Sequence, residues 1–209
     1  MQYLLRNPER VWMLFLEHLR LTGTTLLIAL ALALPIALFI TRQKRLQGPV
    51  LGLLSILYTI PSLALFVLLI PPFGLGFRNA VVALVIYAQV ILVRNIVAGL
   101  ESVPRSVIEA ARGMGMNGWQ IFYKIELPLA LPVILAGLRV ATLSTVGIGT
   151  IAAYVGAGGL GRLLFDGVQQ GRPDRIVAGA IAVSVLAIAI NTLLRLLETR
   201  ATRAMHLER

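Results

Sequence analysis

The chain has 209 residues, 58% of them hydrophobic and only 13% charged, about half the charged share of an ordinary soluble domain. A water-soluble fold of this size would leave much of that apolar surface wet, so the composition selects the lipid bilayer as solvent. The net charge of +10 sits in short clusters between long uncharged runs, which suits loops lying against anionic headgroups and argues against a nucleic-acid partner.

The absence of cysteine removes disulfides and thiolate metal sites. The two histidines, His18 and His206, stand near opposite ends of the sequence, so no metal site is expected.

About 20 apolar residues are needed to cross a 30 Å hydrocarbon core as a helix. Before the first such run, Trp12, Leu14, Phe15 and Leu16 are mixed with Glu17 and His18. That mixture suits a helix lying in the interface, or a short extension of the first span. The first span is expected over 21–40. Arg20 and the later Ala31-Leu32-Ala33 superficially resemble a signal peptide, but the apolar run continues past the cleavage point, so an uncleaved helix is expected. The second span covers 50–70, interrupted by Pro61 and closed by Pro71 and Pro72. The third covers 79–97, with Arg94 and Asn95 near one end. The fourth covers 128–150 with Arg139 in its path, and the fifth covers 176–194. The fold class expected is therefore an all-α membrane protein with about five transmembrane helices. An outer or interfacial segment covers 1–20, the membrane domain 21–197 and a cytoplasmic tail 198–209.

Five spans put the termini on opposite sides. One face would carry Arg42, Lys44, Arg45, Arg94, Arg105, Arg112, Lys124, Arg195, Arg200, Arg203 and Arg209. The other would carry Arg6, Arg10, Arg20, Arg78, Arg162, Arg172 and Arg175. The more basic set is expected in the cytoplasm, which leaves the N-terminus outside.

The longest connection on that inner face runs over 98–127. Pro104 can open a helix at its first turn, with Ser102 or Ser106 as its cap. Val107, Ile108, Ala110, Ala111 and Met114 supply apolar contacts at helical spacing. Gly113, Gly115 and Gly118 break this helix, and a second short helix is expected over 119–125, ending before Pro128.

The same loop carries a motif. Glu109-Ala110-Ala111, three residues, Gly115, nine residues, Ile125, one residue and Leu127-Pro128 is similar to the EAA signature of ABC importer permeases at every defined position. That resemblance implies a coupling helix, with these seven residues in or beside the contact with an ATP-binding subunit. Small Ala110 and Ala111 would admit a close neighbour, Glu109 would accept bonds from a basic partner, and Gly115 would set the bend. The bland alternative is a loop helix packing only on its own chain.

More broadly, the runs LPLALPVILAGLRVAT and VGIGTIAAYVGAGGLG and the stretch Tyr58-Thr59-Ile60-Pro61-Ser62 resemble permeases for glycine betaine, carnitine and choline. Permeases for methionine and other amino acids share much of this plan and stay open as alternatives. What the family implies is a chain without catalytic residues or a cofactor of its own, in a prokaryotic plasma membrane. ATP and magnesium would sit on two ATP-binding partner subunits. A second permease copy or a homologue and an external solute-binding protein complete the expected partners.

Polar side chains inside spans must face protein or a water-filled path. The candidates for that path are Tyr58, Thr59, Ser62, Tyr87, Gln89, Asn95, Arg139, Thr142, Ser144, Thr145, Thr150, Tyr154 and Asn191, with packing or anchoring as the alternative for each. Arg139 can line the path, bind carbonyls between helices or snorkel inward. No carboxylate lies within the expected spans, which disfavours a self-sufficient carrier driven through a buried acid. The run Gly156-Ala157-Gly158-Gly159-Leu160-Gly161 lacks the lysine and the strand of a phosphate loop. It is expected to form a flexible external turn or a place of close helix packing, and to be part of the surface that receives the binding protein.

Overall fold

The computed structural model describes residues 2–207; the side chains of residues 2, 197 and 200–207 lie outside that description. Arg200, Arg203 and Arg209 of the basic tail are thus outside the described side chains. Every element among the described residues is helical.

A short α1 (Gln2–Arg6) leads into α2 (Pro8–Arg42), a single helix of 35 residues. Pro8 stands in its first turn, where a missing N–H costs nothing. The segment 11–19 is therefore the first part of the first membrane helix and not a separate element lying in the interface. Its buried stripe, Leu14, His18, Leu21, Thr25, Ala29, Ala33, Ala37 and Ile40, recurs at three- and four-residue steps, so one continuous face meets the bundle. The small alanines in that stripe let the neighbouring helix approach closely.

Helices α3 (Lys44–Thr59) and α4 (Ser62–Leu68) form the second span, and the interruption expected at Pro61 is a bend of 95° between them. Pro61 forces Ile60 into an extended conformation, with ψ near 129°, and this ends α3. After α5 (Ile70–Phe73), α6 (Phe77–Glu101) runs through the centre of the bundle. Its apolar window is 72% buried, because α2 and α9 pack on two of its faces and α3 on a third.

Two ends of the molecule follow from contacts between distant residues. Lys44 pairs with Glu101, while the Arg20 guanidinium lies 5.2 Å over the Phe77 ring. The chain between 44 and 77 must therefore pass from one end to the other, and the bent α3–α4 pair makes that passage. With α2, α6, α9 and α11 (Pro173–Leu207) this gives five crossings. The N-terminus and the glycine-rich loop share one end; the 98–127 loop and the C-terminal part of α11 share the other.

The chain leaves α6 for α7 (Arg105–Gly113), turns, and enters α8 (Gly118–Ile121). The expected stop before Pro128 does not occur. A π-helical turn (Phe122–Glu126) joins α8 directly to α9 (Leu127–Gly149), so 118–149 forms one helical rod. The wider turn, closed by Leu127 N–H donating to Phe122 O, accommodates a proline that cannot donate. A 3-10 turn (Ile151–Val155), α10 (Gly161–Gln169) and α11 complete the chain.

Candidate functional site

The 98–127 loop holds one helix outward. Within α7, Ala111 is the only buried residue, and Glu109 and Ala110 are exposed. The turn after α7 is a Schellman motif: Met116 N–H donates to Ala111 O (3.1 Å) and Gly115 N–H to Arg112 O (2.9 Å). Gly115 has φ +81°, a conformation that side chains with a Cβ rarely adopt. Neither serine caps α7. Pro104 occupies the N-cap, and Ser102 Oγ donates back to Gly99 O at the end of α6. Asn117 and Gln120 instead cap α8 reciprocally, a pairing the sequence reading had not used.

Val107 and Met114, expected as packing residues, are 38% and 75% exposed. They share the outward surface with Trp119 and Tyr123, whose rings stack at 5.8 Å. Ile125, Leu127 and Pro128 are half-buried; Leu127 packs on the main core and fixes the start of the rod. A cavity of about 580 Å³ separates this segment from the last turns of α2 and α6, with Arg42, Arg112 and Glu126 among its walls. The arrangement is an exposed helix on a rigid stem, with aromatic and acidic groups facing away from its own protein. Such a surface suits a protein partner.

The polar candidates in the spans fall into separate places. Tyr58, Thr59, Ser62 and Tyr87 gather at the 95° break. Tyr58 meets Tyr87 edge-on with centroids 5.7 Å apart, the Tyr87 hydroxyl donates to Ile60 O, and Thr59 donates to Ile56 O (2.7 Å). Gln89 is buried and donates from Nε2 to Ala29 O (3.0 Å), tying α6 to α2. Thr142 and Thr145 bond back to carbonyls of their own helix. Asn95 does likewise, and its Cβ fills the crossing with α9 where Gly137 leaves room. Arg139 pairs with Glu198 of α11 at 3.3 Å, a helix-to-helix tie at the end that carries the 98–127 loop. Of the remaining candidates, Ser144 and Asn191 are half-buried on α9 and α11; Thr150 donates to Gly147 O; Tyr154 lies at the opposite end.

The family model for the inner membrane component of binding-protein-dependent transport systems matches residues 14–203. That range takes in all five crossings and the 98–127 loop. The chain belongs to this family of ABC importer permeases. Among its relatives, the osmoprotectant import permease OsmW of Salmonella typhimurium is 40% identical, covering 96% of this chain and 95% of the relative. The glycine betaine/carnitine/choline permease OpuCB of Bacillus subtilis is 37% identical over 89% and 86%. Among solved structures, a chain of the inward-facing MetNI methionine ABC transporter superposes with a TM-score of 0.80 at 26% identity, covering 92% of this chain and 94% of that one.

The end of the permease opposite the 98–127 loop holds residues that sequence reasoning missed. Glu17 Oε2 accepts from the Gly159 N–H (2.8 Å), and the wholly buried His18 donates from Nε2 to Val146 O (3.1 Å). A Cβ placed on Gly158 would lie 2.4 Å from Glu17, on Gly159 2.8 Å from His18, and on Gly161 1.9 Å from Thr150 O. The glycine-rich run is thus a close-packed junction and not a flexible turn. Asn79 plays a similar part below the break, donating to Phe66 O and Gly74 O, both at 3.0 Å. The visible hint was an acid and a histidine on an otherwise apolar helix face, with no sign of which distant backbone they would meet.

Proposed function

We propose that this permease, with a second copy or a homologue, forms the path for a small quaternary-ammonium osmoprotectant such as glycine betaine, carnitine or choline. Two ATP-binding subunits, which hold ATP and magnesium, drive it from the cytoplasm, and an external binding protein delivers the solute. The solutes of its relatives, glycine betaine, carnitine, choline and osmoprotectants at large, support the solute class. The basic residues gathered at the coupling end support a cytoplasmic coupling segment and an external N-terminus.

The observation that carries the coupling role is the mechanical one. Helix α7 projects with Glu109 exposed, and its stem continues without a break from 118 to 149 into the bundle. Closure of the ATP-binding subunits would move α7, and the rod would pass that movement to α6 and α11, against which α9 packs. The bundle then opens outward to receive solute, and hydrolysis returns it inward. The seven residues Glu109, Ala110, Ala111, Gly115, Ile125, Leu127 and Pro128 are assigned to this linkage. Tyr58, Thr59, Ser62 and Tyr87 are the groups best placed to face solute, because a helix break exposes backbone as well as side chains.

The decisive test is Glu109→Arg. The variant should insert normally but lose co-purification with the ATP-binding subunits and lose solute-stimulated ATPase activity. Unchanged association and transport would overturn the coupling assignment. Uptake by the assembled wild-type system in proteoliposomes, with betaine, carnitine, choline and methionine compared, tests the solute class.

A further inference from the structure

At the outer end, the 3-10 turn and α10 enclose a polar cavity of about 330 Å³, the lower end of the size range of small-molecule sites. Tyr154 and Phe165 supply two of its walls, with ring centroids 5.9 Å apart and planes inclined at 54°. Tyr154 is 56% exposed, a large aromatic held open at the mouth. Asp166 lines the same cavity, and its carboxylate is fixed by Arg10, whose Nη2 donates to Oδ2 at 3.1 Å. Arg162 is a further wall residue and takes part in no ion pair among the described residues.

This set has a distinct chemical preference. A quaternary ammonium has no N–H to donate, so it is recognised by aromatic faces and by nearby negative charge. A carboxylate is recognised by a guanidinium that has no other partner. A purely anionic ligand would leave the aromatic faces unused, since Arg10 already shares the Asp166 charge, and a purely cationic one would meet Arg162. A ligand with both charges, separated by a few bonds, satisfies both ends.

We propose that this cavity is an entry subsite for a zwitterionic quaternary-ammonium solute, with the ammonium against Tyr154 and Phe165 beside Asp166 and the carboxylate on Arg162. The inference rests on the solute class proposed above and adds a place in the permease itself where that solute pauses before the path. Nothing in the coupling segment is needed for it.

The test uses the assembled permease with its ATP-binding subunits in nanodiscs, without the binding protein, and measures equilibrium binding of radiolabelled glycine betaine and choline. Wild type should bind glycine betaine saturably. Tyr154→Leu should weaken both solutes by about three- to tenfold. Arg162→Gln should weaken glycine betaine and leave choline unchanged or tighter, because choline carries no carboxylate. Absence of saturable binding to wild type, or equal effects of Arg162→Gln on the two solutes, would overturn the subsite. So would a loss of binding-protein affinity in either variant with solute binding intact, which would make the cavity a protein-docking surface. Uptake by the complete wild-type system is the control: if it transports neither solute, the proposed solute class fails; if it transports both while the variants behave as wild type, only the subsite fails.

Discussion

The two glycine-rich connections of this permease use the same residue for opposite ends. Around 113–118, a Cβ added to Gly113, Gly115 or Gly118 would meet nothing within 4 Å. Around 158–161, a Cβ would collide with Glu17, with His18 and with the Thr150 backbone. The first region needs glycine for a backbone angle at Gly115, which throws a helix outward. The second needs it for proximity, which clamps the outer ends of α2, α9 and α10 together. Composition alone does not separate a lever from a clamp; the neighbours do.

Mutations should break that contrast in a graded way. Gly161→Ala should have the largest effect, because its Cβ would meet a backbone carbonyl that cannot rotate away. A loss of about 3 kcal/mol or more is expected, read as a large drop in thermal unfolding temperature in detergent. Glu17→Gln keeps the shape but removes the charge from the bond to Gly159 N–H, and about 1 kcal/mol should be lost in the same assay. Gly115→Ala meets no clash, so its cost is the strained backbone, about 1 kcal/mol or a little less. Its larger consequence should be weaker binding of the ATP-binding subunits as α7 changes direction. Glu109→Arg should alter stability least, within about 0.5 kcal/mol, while abolishing subunit association. If Glu109→Arg melted the protein as Gly161→Ala does, the outward lever would be a packed element and the contrast would fail.

Much of this was legible beforehand. The spans were readable because lipid demands long uncharged runs, and the interruption at Pro61 because proline dictates the conformation before it. The bend at Gly115 was readable from its place in the EAA signature. The rod from 118 to 149 was not, since Pro128 reads as a stop and only the π-helical turn shows how the chain passes it. The N-terminal segment was ambiguous for a related reason: an amphipathic stretch can lie in an interface or extend a span, and α2 resolves this by burying Leu14 and His18. Among the polar candidates, sequence offered one undifferentiated set. Packing placed Tyr58, Thr59, Ser62 and Tyr87 at the helix break, made ties between helices of Gln89 and Arg139, and set Tyr154 in the cavity beside α10.

What the sequence determined by itself is the solvent, the approximate number of crossings and the place of the motif-bearing loop, because hydropathy, charge and a spaced motif are local properties. What only the tertiary structure decided is which residues meet across the chain. Glu17 finds the Gly159 amide 142 residues away, and Tyr87 finds the carbonyl freed at Ile60. Such pairings depend on how helices cross in three dimensions, and hydropathy along the chain does not encode those crossings.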